Sequence, residues 1–456
     1  MIRLRHFSRE YPLCGGNADY PRCRLCLAAI MHKTKIVVIG AGSASFGLGM
    51  LSDAVNMAEL RGSTLSLVDI DSHALEAIST LARKMNDESG AGLKIEHTTD
   101  RTQALPEAEF VVISIAVRRN DLWKLDWEVP TKHGVRHTLG ENGGPGGLFH
   151  SMRNIPIVLD ICRDIERLCP DALLLNFTNP VPRICMAIDR YSSVNAVGLC
   201  HGIGGQLDRL ARVMEVSPEN LTCTAAGLNH FTWILDLRFK DSGQDAYPEL
   251  RRRLQGCDPS FQPLSRKLFG AFGFYPSPGD DHVGEYVHYA AEYCPMHGFD
   301  FAGAEKYKTE TWAGIGRMVR GEEPVTSLIG RRSGERAFEI IAGILCDSGH
   351  SELAVNLPND GHISNLPEEA IVEVPAVVGA DGVKGADIGK LPSGIAALCR
   401  TQFGIQELVV EAAVTGDKGK ALQALLADPV VPGFDAAEKI LDELLVLEAD
   451  YLPQFK

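Results

Sequence analysis

The stretch KIVVIGAGSASFG, Lys35 to Gly47, constrains this chain more than any other. A β-branched apolar run that breaks into glycines reads as a buried parallel strand turning directly into a helix. The spacing is Gly40-x-Gly42-x-x-Ser45-x-Gly47, with Ser45 at the third place of a GxGxxG pattern. Gly40 permits the tight turn, and Gly42 lets the backbone approach a pyrophosphate. Ser45 is small enough for the helix to pack on the strand. Ser43 and Phe46 stand at the helix entry, where N–H groups and the helix dipole favour a phosphate.

The following residues repeat the alternation. STLSLVDID is a second strand closing at Asp69, whose carboxylate suits two ribose hydroxyls and repels a 2′-phosphate, favouring NAD over NADP. A third apolar run is AEFVVISIAV, a fourth ALLLNFTNP and a fifth NAVGLC, with helical stretches such as MRNIPIVLDICRDIERLC between them. This predicts an α/β fold with a Rossmann-like doubly wound parallel sheet over residues 32–203. Ligands of such sheets lie beyond the carboxyl ends of the strands. The polar residues there are Ser114 and Arg118, then Asn176, Thr178 and Asn179, then Cys200 and His201.

TCTAAGLNHFTWILDLRF comes next, with His230 as a polar island in an apolar run. If it crosses the site, Cys200 and His230 meet in space. One thiolate and one imidazole leave most of a divalent metal's coordination sphere to substrate oxygens, which suits a Lewis acid better than a structural zinc. Core packing of both residues is the competing explanation. Residues 204–456 mix helical segments (QLDRLARVMEV, PELRRRLQG, EKILDELLVLEADYL) with strands (TWILDLRF, AIVEVPAVV), predicting a C-terminal α+β domain that lids the site. RMVRGEEP and VVGADGVKGADIGK read as loops.

Composition narrows the partners. At 456 residues the chain exceeds a single core, and the formal net charge of -14 argues against nucleic acid and anionic membranes. No run reaches the roughly 18–20 apolar residues of a membrane span. The 12 cysteines are scattered, mostly in apolar runs, as in a reducing cytoplasm. Residues 1–31 lack a clear period. Their Cys23-x-x-Cys26, with Cys14 and His6 nearby, is a weak zinc signal, and the segment reads as disordered or as an extension ahead of a start at Met31.

Several of these pieces together resemble glycoside hydrolase family 4, the NAD- and metal-dependent glycosidases. They are KIVVIGAGSASFG, DWEVPTKHGVRHTLGENGGPGGLFHSMRNIP, LLLNFTNP, VGLCHG, GLNHF, NLPNDGHISNLPEEAIVEVPA and RTQFGIQELVVEAAVTGD, in the family's order from about Lys33 onward. The resemblance implies NAD and a divalent metal, usually manganese, held by Cys200 and His230, with Asn179 near substrate and metal. It implies oxidation at sugar C3, loss of the C2 proton, elimination of the glycosidic oxygen, water addition and return of the hydride. The proton-abstracting base falls in FYPSPGDDHVGEY, Asp280 ahead of Tyr286, and His201 lies near the leaving group or sugar rim. Relatives are dimers or tetramers, which implies a homodimer or homotetramer.

CHG at Cys200–Gly202 resembles the non-phosphorylated branch, and with PGDDHVGEY it resembles α-glucuronidase-like members. A C6 carboxylate needs a cation, and Arg118, Arg119, Arg153 and Lys132 are on offer, Arg153 entering as the substrate-binding expectation. An α-galactosidase, α-glucosidase or sulfoquinovosidase of the same mechanism is the alternative within the family. A 2-hydroxy-acid dehydrogenase shares the sheet topology but has no task for GLCHG and GLNHF. A cofactor-binding sensor with a dead site would have lost Cys200, His230 or the base.

Overall fold

The computed structural model describes residues 33–44 and 46–456. The expectations for residues 1–31, Cys14, Cys23 and Cys26 included, and for Ser45 lie outside the described residues. Six parallel strands come first: β1 (Lys35–Ile39), β2 (Thr64–Val68), β3 (Lys94–Thr98), β4 (Phe110–Ile113), β5 (Leu173–Asn176) and β6 (Ala196–Gly198). Their order is β3-β2-β1-β4-β5-β6, reversing direction beside β1, as the doubly wound pattern predicts. The third apolar run is therefore the fourth strand. β3 (KIEHT) escaped the hydrophobic reading because an edge strand with a half-exposed face carries no apolar run.

The helices α1 (Phe46–Asn56) and α2 (Ser72–Ser89) cover one face of this sheet. With Ile36, Val38 and Val112 they form one apolar core. The helices Gly144–Leu168 and Val181–Tyr191 cover the other face against Val37, Ile39 and Val111. β1 is 6% exposed or less from Ile36 to Ile39, which is why it reads as a continuous apolar run rather than an alternation.

The sheet does not stop at residue 203. β10 (His350–Pro358) pairs antiparallel with β6, and the order continues β10-β11-β7-β8-β9 through β7 (Leu221–Leu228), β8 (Phe231–Phe239), β9 (Tyr275–Ser277) and β11 (Ile371–Gly379). The α+β half is thus welded to the parallel half through one sheet, and the core cluster of the Gly144–Leu168 helix also takes in Phe231, Trp233, Ile371 and Val374. TCTAAGLNHFTWILDLRF is a β7–β8 hairpin turning at Asn229 and His230, not one strand. VVGADGVKGADIGK, expected as a loop, closes a second hairpin from β11 to β12 (Gly382–Gly385). The Arg317–Arg320 part of RMVRGEEP ends the helix Phe301–Arg320. The helix Phe434–Leu447 buries Ala437, Ile440, Leu441 and Leu444 and leaves Phe434 and Val446 exposed. Among the described residues no helix is long and apolar enough to cross a membrane.

Candidate active site

The turn after β1 is built for close approach. Gly40 has φ +91°, and a Cβ there would lie 2.0 Å from the Ser114 carbonyl oxygen at the end of β4. Only glycine lets the two strand ends touch. The Gly42 amide donates to Asp69 Oδ2 at 2.7 Å, and the Asp71 amide to Asp69 Oδ1 at 2.9 Å, so the carboxylate at the end of β2 is fixed beside the glycine turn. Ser43 Oγ accepts from the Phe46 amide at 3.2 Å, capping the entry to α1. Gly40, Gly42, Ser43, Phe46, Asp69 and Ser114 thus lie at or just beyond the carboxyl ends of β1, β2 and β4, beside the point where the strand order reverses. Arg118 stands apart: it is exposed, paired with Asp121 and hydrogen-bonded to the Tyr451 hydroxyl.

The same strand edge carries the thiol and the imidazole. Cys200 lies just past β6, and His230 occupies the β7–β8 turn with φ +61°. Sγ and Nε2 are 3.4 Å apart. The turn is anchored from below: Asn229 donates to Glu373 on β11 at 2.8 Å, and Thr232 donates to the same carboxylate. His230 Nδ1 is buried and has no hydrogen-bond partner among the described residues. Burial, then the neighbouring His282 and His201, hold His230 well below the usual histidine pKa, so the ring is neutral and able to ligate. Burial and the Glu373 charge push the Cys200 thiol up to about 12. A bound cation would have to displace that proton. Among the described residues no group of three or more His, Cys, Asp or Glu is arranged to hold a metal. The pair therefore offers two ligands and an otherwise open sphere, which fits a metal completed by substrate oxygens.

His282 and Glu285 form a second layer that sequence reasoning left without a role. The His282 ring stands 4.2 Å from the His230 ring, centroid to centroid. Its Nδ1 meets Glu285 Oε1 at 3.1 Å, while Glu285 Oε2 accepts from the amides of Glu141, Asn142 and Gly143 at 2.7, 2.6 and 3.0 Å. Those amides precede the helix Gly144–Leu168, and three convergent N–H groups make a carboxylate nest. Burial works against charge on His282, yet the Glu285 hydrogen bond and charge leave its pKa raised. The glycine-rich GENGG was the available signal, since such runs let successive amides converge.

Several sequence expectations are redirected. Asp280 is engaged in structural hydrogen bonds, and burial nevertheless raises its pKa. Its oxygens accept from the Leu264 amide at 2.8 Å, the Ser265 amide at 2.8 Å and Ser265 Oγ at 2.6 Å, so it caps the helix Pro263–Phe272 from across the loop. Arg153, the substrate-binding expectation, is committed to buried ion pairs. It is 3% exposed and locked between Asp126 and Glu448, both at 2.5 Å. Arg119 pairs with Glu141, and Lys132 with Glu443.

Tyr286 is 5% exposed, its ring 5.2 Å from that of Phe231, which directly follows His230. Burial and then the Glu285 charge hold its pKa well above the usual phenol value, while Arg183 opposes the rise. His201 is exposed at the entry of the helix Gly202–Met214, its Nδ1 3.3 Å from Glu335 Oε2, and that hydrogen bond raises its pKa. The Asn179 carbonyl accepts from Asn154 at 3.1 Å, at the end of β5. Arg209, on the same helix as His201, donates to the Pro278 carbonyl and to Gln206 and makes no ion pair among the described residues.

A family model described as Family 4 glycosyl hydrolase matches residues 35–216, and one described as its C-terminal domain matches residues 225–431. An alpha-glucosidase of Erwinia rhapontici is 37% identical over 465 aligned residues, 93% of this chain and 100% of that protein. An alpha-galacturonidase of Bacillus subtilis (strain 168) is 29% identical, covering 91% of this chain and 97% of that one. In fold the chain is similar to a 6-phospho-alpha-glucosidase from gut microorganisms solved with NAD and Mn2+, with a TM-score of 0.82, 20% identity and coverage of 93% and 100%.

Proposed function

The chain belongs to glycosyl hydrolase family 4, and from that premise we propose that it cleaves non-phosphorylated α-glycosides using NAD and a divalent metal. The observation that carries this reading is the approach of Cys200 to His230 within 3.4 Å on the strand edge that also holds the Gly40–Gly42 turn and Asp69. A 2-hydroxy-acid dehydrogenase, which works without a metal, has no use for such a pair.

When bound, NAD supplies a hydride acceptor and the metal supplies Lewis acidity beside the carbonyl that oxidation creates. Gly40 lets β1 pass against the Ser114 carbonyl, Gly42 brings its amide to Asp69, and Asp69 is the acceptor for ribose hydroxyls. Cys200 as thiolate and neutral His230 are the metal's protein ligands, with Glu373 orienting the turn between them through Asn229. Asn179 sits beside substrate and metal.

For removal of the C2 proton the reading takes Tyr286 over Asp280, since both Asp280 oxygens cap a helix while the Tyr286 ring packs on Phe231 beside His230. Burial and then the Glu285 charge hold the Tyr286 pKa well above the usual phenol value, so the site would have to stabilise its anion on binding substrate and metal. A protonated His201 donates to the departing glycosidic oxygen. For the sugar the reading is an α-linked uronic acid, a glucuronide or its C4 epimer, with Arg209 in place of Arg153 as the cation for the C6 carboxylate. The 37% identity to an alpha-glucosidase favours a neutral glucoside as second reading. Exposed Phe434 and Val446 support a homodimer or homotetramer.

The test is a panel of α-glucuronide, galacturonide, galactoside, glucoside and sulfoquinovoside in D2O with NAD, Mn2+ and a thiol reductant. Hydrolysis with deuterium at C2 of the product and no net NADH is the expected outcome. Net NADH without cleavage would replace the reading with a dehydrogenase.

A further inference from the structure

One stripe of α1 serves neither the core nor the glycine turn. Met50, Leu51, Ala54 and Val55 pack into the sheet's core, whereas Gly49, Ser52, Asp53 and Asn56 recur at i, i+3, i+4 and i+7 on another face. Ser52 and Asp53 are nevertheless 4% and 3% exposed. What covers them is the segment between the turn Val325–Ser327 and the helix Ala337–Leu345.

The attachment is dense. Ser52 Oγ donates to the carbonyls of Leu328 and Arg331; Asn56 donates through Nδ2 to Arg331 O at 3.0 Å, and its Oδ1 accepts from the Gly330 amide at 3.1 Å. The Ser333 amide donates to Asp53 Oδ1 at 2.9 Å, and its hydroxyl donates to Asp53 Oδ2. Gly49 leaves the room for this, because a Cβ there would lie 2.9 Å from Ser333 Cβ. Two residues on, the Glu335 amide donates to Ser333 Oγ at 3.0 Å, and Glu335 Oε2 meets His201 Nδ1 at 3.3 Å. Beyond it, Arg336 is tied to Glu352 at 2.7 Å and to Glu339 at 3.2 Å, so the segment is held from both ends.

We propose that Asp53, Ser333 and Glu335 form a positioning relay that carries the placement of α1, the helix at the dinucleotide's phosphate end, to His201 beside the metal cysteine. It rests on the cofactor reading above. α1 moves as a rigid rod, so a ligand that fixes its first turn also fixes Asp53, about two turns along. Ser333 links that carboxylate to the Glu335 backbone, and Glu335 sets the imidazole. Coupling through a contiguous chain of paired side chains makes cofactor occupancy a condition for His201 to face the sugar. Ser333 and Glu335 touch neither ligand in this scheme.

The experiment follows His201 directly. The full chain is labelled at histidine 13Cε1, His201→Gln assigns the resonance, and NAD is titrated in without metal or sugar. In the wild type the His201 signal shifts or sharpens as NAD saturates. In Ser333→Ala and Gly49→Ala, NAD binds with nearly unchanged affinity but the His201 signal stays as in the free protein, and turnover falls about tenfold or more because the group is misplaced. Ser333→Thr, which keeps the hydroxyl, restores the response. Arg332→Ala, which breaks the pair with Glu339 and removes a charge that acts on Asp53 only through space while leaving every relay hydrogen bond in place, leaves it intact. NAD binding with an equal His201 response in Ser333→Ala and wild type overturns the relay alone. Failure of the wild type to bind NAD overturns the cofactor reading and the relay with it.

Discussion

Glu285 Oε2 accepts from three successive backbone amides, those of Glu141, Asn142 and Gly143, while Oε1 of the same carboxylate meets His282. One buried side chain therefore ties the start of the helix Gly144–Leu168 to the histidine whose tilted ring lies 4.2 Å from that of His230. Removing it orphans buried donors at both ends.

Glu285→Ala is accordingly expected to destabilise the protein by roughly 3 kcal/mol, the scale for leaving buried partners of a charged group unmatched. Thermal and urea unfolding of the variant measure it. Wild-type stability would mean that water replaces the carboxylate at no cost.

Cys200→Ser keeps the fold but weakens the metal ligand. Metal-dependent hydrolysis should drop by roughly 100-fold, with NAD affinity by calorimetry nearly unchanged, since the residues read as binding NAD lie at the ends of β1, β2 and β4. Unaltered metal-dependent turnover would rule out the thiol as a ligand.

Asp280 and Tyr286 separate by what each loses. Asp280→Asn sets an NH2 group against one of the two backbone amides that the carboxylate caps and should cost roughly 1 kcal/mol of stability, the scale of an unsatisfied donor, while C2 deuterium exchange persists. Tyr286→Phe should abolish that exchange with stability nearly intact. The reverse pattern would return the proton transfer to Asp280.

Arg153 lies between two carboxylates, and a single guanidinium cannot neutralise both. Burial and then the Asp126 charge push Glu448 up to about 9, so it holds a proton at neutral pH. The sign follows from proton uptake: the folded state binds this proton above the ordinary carboxylate range and the unfolded chain does not. This group's effect therefore lowers stability as pH rises from about 4.5 to about 9. Glu448→Gln should flatten the fall in melting temperature across that window. Arg153→Ala should cost roughly 3–5 kcal/mol, as breaking a buried pair does, without raising the sugar KM of the folded enzyme.

If Arg209 receives a C6 carboxylate, Arg209→Met should raise KM for the uronide by roughly 100-fold, the scale of a lost charge-assisted contact, and leave neutral glycosides untouched. Equal losses on both substrates would mark Arg209 as structural.

The sequence by itself determined the parallel half-sheet, the glycine turn with Asp69, and the candidacy of Cys200 and His230. Each is a local matter: hydrophobic period sets strand and helix, Gly40 is demanded by a backbone that passes over the Ser114 carbonyl, and a strand end in a doubly wound sheet faces the ligand whatever follows it. Only the tertiary structure decided which polar side chains stay free. Arg153 and Asp280 look as available in the sequence as Arg209, which donates to the Pro278 carbonyl but makes no ion pair among the described residues. Their partners stand far off in sequence or across a loop, Glu448 for Arg153 and the amides of Leu264 and Ser265 for Asp280. The Asp53–Ser333 contact and the joining of β6 to β10 are of the same kind. A charge's role depends on what neutralises it, and that is settled by packing between distant segments, which no local pattern encodes.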